Sequence, residues 1–456
     1  MENEEPEATN NKLHAYYYEM LITKSLKRAL KDRDDIGFYI TLLKEYCFFL
    51  FNTRLRFNPV PENEFGKFLK SHQDKYSISQ LHNASVVNTL VKAKIFLLSS
   101  ERNISISYKY LYYYFVAKYL ADNLEEESVK ATIDLMADRV YRDEYSNIIL
   151  FLSHLSKSPF IVRKLIEKSK EIFANQDLLR LEEDVYFINN LQTSLPEKVL
   201  KFIEVEDARS EELKAADEYE EMEKEFESQS FSTDYDLNED VSALDAIAMQ
   251  TKALRMLNIL GQITRKYWGE LTGSDKITLA EETFRLGLRT LRFFFGLLDE
   301  SKDFLVDHIS HVVQKNFVKE PLNKSEIEAF SANFIFNLSS AYVFGILKRI
   351  VNAIGTEKLS DTFDAVKEKL PYNSVHLAVT GIKLDHYNSY PSTDIDKLEK
   401  DNKKNMLGFS TLQNFVIDYL YMYPVEIGRK QQICSKLNIK INEARLIAET
   451  SLARKA

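Results

Sequence analysis

Glycine and proline are scarce in this chain, which has 12 glycines and 9 prolines among 456 residues. Both residue types are used less than average, and they supply the turns between the short strands of β-sandwiches and barrels. Their scarcity therefore argues against such folds and favours long helices. Hydrophobic residues make up 45% of the sequence, which is enough for sizeable cores in about two or three domains.

Motifs for nucleotide hydrolysis are also missing. No G-x-x-x-x-G-K-[ST] loop occurs, because Gly66-Lys67 has neither the required preceding glycine nor the following hydroxyl residue. Residues 293–300 resemble a hydrophobic strand that ends in acids, but their spacing continues a helical pattern. The sequence therefore predicts no catalytic site and no cofactor bound by this chain itself.

Metal-binding patterns are weak. Cys47 and Cys434 lie far apart and are expected as reduced thiols. Asp307, His308 and His311 form a D-H-x-x-H set in which His308 and His311 would share a helix face, which leaves a metal-dependent hydrolase as a minor alternative. The remaining histidines, including His154 and His72, are expected to stand alone. We therefore predict no metal site.

The charge pattern disfavours nucleic acid as a partner. The formal net charge is −9, and the basic C-terminal stretch from Arg429 onward also carries Glu443 and Glu449, which would repel phosphate. The longest apolar run, 334–351, is interrupted by Lys348 and Arg349, and no signal peptide opens the chain. We expect a cytoplasmic protein with no membrane span.

The most distinctive stretch is an aromatic segment at 106–124, ISYKYLYYYFVAKYLADNL. It contains no helix breaker, and apolar or aromatic side chains occupy nearly every side of a helix with 3.6 residues per turn. Each ring removes about 150–250 Å² of surface from water, so this helix is predicted to be buried between two layers. Each tyrosine hydroxyl then needs a polar partner.

Helices and one hairpin are predicted around this segment. Apolar periodicity indicates four helices before residue 94, followed by strands at 95–98 and 104–107 that are joined by a polar turn. Helices followed by a hairpin are the order of a winged helix. Helix pairs follow, and the second half resumes with helices that include 280–299 and 304–317. Irregular structure is expected at 371–391 and a polar spacer at 396–405.

The acidic stretch at 204–240 separates the two halves, with sixteen acids against three basic residues. Such a charge density cannot be buried, which is typical of a linker. The predicted fold class is mainly α, with a winged-helix-like domain, helical-hairpin arrays and a second all-α domain. The predicted divisions are a disordered tail at 1–12, the winged-helix-like domain at 13–124, a helical array at 125–203, the linker at 204–240 and a C-terminal helical domain at 241–456.

Two stretches together resemble the region that follows the ATPase core in bacterial STAND NTPases of the NACHT type. They are LHAYYYEMLITKSL near the start and YKYLYYYFVAKYLA after the predicted hairpin. Within the second, residues 114–117 and Leu120 fit the YFAAxxL half of an aromatic family motif, and Leu111 replaces its middle phenylalanine. Where many relatives place a histidine that touches the nucleotide phosphate, this chain has Tyr108, or Lys109 if the alignment shifts by one.

The resemblance implies a ligand-gated switch with no catalysis in this chain. Its partners would be an NTPase or effector domain or protein, and a trigger such as a phage protein. ATP or ADP would bind only through the NTPase domain. Activation would involve oligomerisation, and many family members defend bacteria against phage. The alternative is a free-standing helical scaffold for protein interactions, with no relation to an NTPase.

Overall fold

The computed structural model of the chain describes residues 15–30, 35–53, 55–78, 81–191, 195–200, 206–207, 209–210, 214, 246–316, 324–387 and 390–441. For residues 15, 16, 302–316, 324 and 327 it describes the backbone alone. Two compact units are present: residues 1–168 with 241–243, and residues 169–240 with 244–456. The predicted tail at 1–12 and almost all of the predicted acidic linker lie outside the described residues.

The first unit consists of helices with a small sheet, as the sequence predicts. Its elements are α1 (Ala15–Ala29), α2 (Ile36–Asn52), β1 (Val60–Pro61), α3 (Glu62–Tyr76), α4 (Asn83–Lys92), β2 (Phe96–Leu98), β3 (Asn103–Ile106), α5 (Lys109–Asp122), α6 (Glu127–Asp138), α7 (Asp143–Leu155) and the start of α8 (Pro159–Glu171).

The predicted hairpin is confirmed and belongs to a three-stranded antiparallel sheet. β2 pairs with β3, and β3 also pairs with β1, giving the order β1-β3-β2. Strand β1 is not evident from the sequence, because it has only two residues and includes Pro61, which cannot donate a ladder hydrogen bond. The unit therefore contains the succession helix, strand, two helices and hairpin, which leads directly into α5.

Helix α5 is buried over most of its circumference, as the aromatic pattern predicts. Eight of its side chains are buried, including Tyr112, Phe115 and Leu120. It packs mainly against α7 and α2, and Phe48 of α2 stacks on Tyr119 with ring centroids 3.9 Å apart. Tertiary burial rather than a one-sided apolar stripe therefore determines the position of this helix.

The second unit is built almost wholly of helices. Its elements after the end of α8 are α9 (Tyr186–Asn189), β4 (Lys198–Leu200), α10 (Ala246–Lys266), α11 (Gly273–Asn316), α12 (Lys324–Ile354), a 3₁₀ turn (Glu357–Leu359), α13 (Ser360–Lys369), α14 (Asn373–His386), α15 (Ser392–Asp401), α16 (Met406–Met422), α17 (Ile427–Lys436) and β5 (Ile439–Ile441). Strands β4 and β5 form a parallel pair that the sequence analysis did not predict.

Three local predictions in this unit are wrong. The helices predicted at 280–299 and 304–317 are one continuous helix, α11, because the charged residues between them interrupt the apolar pattern but include no helix breaker. The region at 371–391 contains α14, since its prolines lie outside that helix. The first six residues of the predicted polar spacer at 396–405 belong to α15, a surface helix in which Ile395 and Leu398 are the buried residues.

Residues Glu328–Ile354 of α12 are long and apolar enough to cross a membrane, by length and composition alone. Of the most apolar part of this helix, 44% is buried within the protein. Its Lys348 ammonium lies 2.7 Å from Asp385 Oδ2 of α14 and also contacts Asp418 of α16. These contacts are those of a core helix of the second unit.

Candidate functional site

The two candidate nucleotide-contacting residues lie side by side at the start of α5. Tyr108 is the residue before the helix and is 66% exposed, and Lys109 is the first helical residue and is also exposed. The first turn contains no acidic residue, and no side chain caps it. A lysine beside unsatisfied helix N–H groups is a favourable arrangement for an anion.

The turn that carries these two residues is fixed by the preceding hairpin. The Ser107 hydroxyl donates a hydrogen bond to the Lys94 carbonyl oxygen at 2.7 Å. The Ser107 backbone N–H donates to the Ile95 carbonyl oxygen at 2.9 Å. Tyr108 and Lys109 therefore project from a turn that is tied to the end of α4 and the entry to β2.

Further along α5, buried tyrosines contact the first turn of α7. Tyr112 donates its hydroxyl to Glu144 Oε1 at 2.8 Å, and Tyr113 donates to Asp143 Oδ2 at 3.1 Å. Arg56 Nη1 lies 3.1 Å from Glu144 Oε2. Burial raises the pKa of Glu144, which the Arg56 charge and the Tyr112 hydrogen bond partly offset. These two tyrosine hydroxyls therefore have the polar partners that their burial requires, and both partners are carboxylates.

These carboxylates were not identified as site residues from the sequence. The only available signal was their position at a helix start, where acids interact favourably with the helix dipole. Nothing local indicates that their partners come from α5, about thirty residues earlier in the chain.

A second polar cluster joins α2 to α3. Glu45 accepts hydrogen bonds from Lys75 at 2.9 Å and from the Tyr76 hydroxyl, and His72 Nδ1 lies 2.8 Å from Glu45 Oε2. The expectation that His72 stands alone is therefore wrong. Burial by itself would raise the pKa of Glu45, but the hydrogen bonds from Tyr76, Lys75 and His72 outweigh it and lower this pKa.

Replacing Glu45 with glutamine is expected to lower the free energy of unfolding of the first unit by about 1–3 kcal/mol at neutral pH, because three donors lose an anionic acceptor. A lowered carboxyl pKa gives stability that is present above the ordinary value near 4.5 and is lost as the pH falls through the folded-state pKa. The variant should therefore lose less stability on acidification than the wild type. Hydrogen exchange of α2 and α3 amides across this pH range measures both effects.

Glu64→Gln is the matched control, because Glu64 is on α3 in an exposed pair with Lys67. It should change stability little at any pH. Equal acid sensitivity of the wild type and Glu45→Gln would contradict the assignment.

No metal site is evident among the described side chains, where no group of three or more His, Cys, Asp or Glu residues could hold an ion. Asp307, His308 and His311 lie in the part of α11 whose side chains are outside the described set, so the hydrolase alternative remains untested. Cys47 is completely buried, and burial raises the pKa of its thiol.

The family model described as Novel STAND NTPase 4 matches residues 58–116 of the chain. The matched segment includes the three-stranded sheet, α3, α4, Tyr108, Lys109 and the first half of α5. No curated protein and no solved structure matches the chain. The match supports a relation to STAND NTPases through a small part of the sequence.

Proposed function

We propose that this chain is a regulatory and sensor portion of a STAND NTPase of the NACHT type, with no catalysis of its own. The first unit acts as a winged helix that docks on a nucleotide-binding domain. The second unit acts as the arm that recognises a trigger, with a phage protein as the expected class of trigger. ATP or ADP binds through the NTPase domain, and the effector is supplied elsewhere.

The observation that carries this proposal is the coincidence of three features in one segment. The family match ends within α5, the strand and helix order before α5 is compatible with the proposed winged helix, and the two candidate nucleotide-contacting residues are exposed at its start. Buried core residues could not reach a second domain. Tyr108 and Lys109 can, because the hairpin holds them at the surface.

The proposed mechanism is a shift between two states. In the resting state Lys109, a compact cation, faces the phosphates of a nucleotide held by the NTPase domain, and Tyr108 packs beside it. Trigger binding by the second unit favours an open state, in which this contact is released. Such a shift requires the trigger to bind the open state more tightly than the resting state.

The test is titration calorimetry of the full chain with its P-loop ATPase, loaded with ADP or with a non-hydrolysable ATP analogue. We expect binding to the ADP form to be tighter by at least about tenfold, or about 1.4 kcal/mol. Tyr108→Ala and Lys109→Glu should each remove most of this preference. Tyr186→Ala is the control, because Tyr186 is 73% exposed but lies in the second unit.

Equal affinity for the two nucleotide forms, unchanged by Lys109→Glu, would contradict the proposal. In that case the free-standing helical scaffold becomes the better interpretation. The neighbouring genomic sequence distinguishes the switch from the scaffold before any experiment on the protein. Only the switch requires a reading frame that encodes a P-loop, either beside this chain or continuous with it.

A further inference from the structure

Helix α12 carries an exposed apolar stripe within the second unit. Phe330, Phe334 and Leu338 are 47%, 47% and 41% exposed, and the stripe continues through exposed Ala341 and Gly345. The spacings of four, four, three and four residues keep these positions on one side of a helix. No charged residue belongs to this stripe. Contiguous exposed apolar surface of this kind typically marks an interaction site.

The opposite side of α12 accounts for the packing of the helix in its own unit. Val343, Leu347 and Ile350 are completely buried there. The stripe is therefore additional apolar surface, which the described part of the fold does not cover.

Gly345 extends the stripe at its C-terminal end. A Cβ atom added at Gly345 would meet no atom within 4 Å, so the described part of the unit leaves open space above this position. The same is true of Gly296 in α11, so open space alone does not indicate an interface. At Gly345 the open space adjoins an exposed apolar stripe, where a small residue leaves room for a large side chain of another molecule.

We propose that this stripe is a two-fold interface between the α12 helices of two copies of the chain. In an antiparallel pair centred between Asn337 and Leu338, Phe334 lies level with Ala341 of the second copy, and Phe330 lies level with Gly345. Each large ring thus faces a small residue, and two-fold symmetry repeats both contacts. This self-complementarity identifies a second copy as the occupant. The pairing is independent of any NTPase partner.

Sedimentation equilibrium of the full chain tests the proposal first. We expect a concentration-dependent dimer whose dissociation constant rises at least about tenfold in Gly345→Leu, because overpacking occurs at two symmetry-related positions. Phe334→Asp should also dissociate it. Gly296→Leu is the matched control, since Gly296 is an exposed glycine of α11 with the same open surroundings. A wild-type monomer at all concentrations would overturn the proposal.

Cysteine cross-linking tests the direction of pairing. Leu338→Cys lies near the two-fold axis and should form a disulfide-linked dimer on mild oxidation. Gly345→Cys should not, because the two copies of this position are about 22 Å apart along the antiparallel helices. The native cysteines are buried and give little background. Cross-linking at both positions would indicate parallel pairing, and cross-linking of Gly345→Cys alone would indicate an antiparallel pair with a different centre. Either result would contradict the proposed geometry.

Vesicle flotation separates the proposed dimer from a membrane contact by the same stripe. With phosphatidylcholine and phosphatidylglycerol vesicles, the wild-type chain should remain in the soluble fraction. Flotation that Phe334→Asp abolishes would overturn the assignment of a second copy as the occupant.

Discussion

Replacing Arg289 with methionine is expected to lower the free energy of unfolding of the second unit by about 3–5 kcal/mol, because one partner of a buried ion pair is removed. Arg289 Nη2 lies 2.7 Å from Glu282 Oε1, and both side chains are buried. The same guanidinium donates hydrogen bonds to the backbone carbonyl oxygens of Ser169 and Ile172. The substitution therefore leaves the buried Glu282 carboxylate without its cationic partner, with only the Ser169 hydroxyl still donating to Oε1. The carbonyl oxygens of Ser169 and Ile172 also lose the guanidinium as a donor.

Denaturant unfolding followed by tryptophan fluorescence measures this effect, since Trp268 is the single tryptophan and lies in the second unit. Arg285→Met is the control, because Arg285 lies four residues earlier in α11 and forms a more exposed pair with Glu281. It should cost no more than about 1 kcal/mol. A similar loss in both variants would show that burial of the Arg289 pair has no special importance.

A double variant shows whether the stability is lost because Glu282 remains charged without Arg289 or because the ion pair itself is gone. Replacing Arg289 and Glu282 together with methionine should recover much of the stability, because neither side chain then requires a buried charged partner. If the double variant is no more stable than Arg289→Met, the stranded carboxylate is not the cause.

Replacing Phe115 with alanine is expected to destabilise the first unit by about 3–5 kcal/mol, because a large buried ring is exchanged for a cavity. Phe115 is 1% exposed and lies midway along α5, the helix that packs against both α2 and α7. The loss should also weaken the positions of Tyr112 and Tyr113, whose hydroxyls contact α7. Hydrogen exchange of the α5 and α7 amides measures the effect within this unit.

Tyr108→Ala is the matched control, because this residue adjoins the same helix and is mostly exposed. It should change stability by about 0.5 kcal/mol or less. The comparison also establishes that the variant used in the nucleotide test is folded. Strong destabilisation by Tyr108→Ala, or near-neutral behaviour of Phe115→Ala, would contradict the burial of α5 described above.

Local sequence features determined the helical character of the chain and the start of its candidate site. Scarce glycine and proline, the 3.6-residue apolar period and the two short β-type runs depend only on neighbouring residues. The helical period correctly predicted α2 and the buried α5, and the β-type runs correctly predicted the β2–β3 hairpin. The same local rules failed where a mostly polar segment forms a regular helix on the surface, as in α15. The position of Tyr108 and Lys109 at the start of an aromatic helix also followed from adjacent residues.

Tertiary structure alone decided which distant side chains meet. The pairing of Glu45 with His72 crosses 27 residues, and the contact between Ser169 and Arg289 crosses 120. The register of α12 placed Phe334 and Gly345 on an exposed face, although both lie within the longest apolar run of the sequence, 334–351. Periodicity fixes which residues share one face of a helix, but only packing against other elements selects which face is buried and which polar groups become partners.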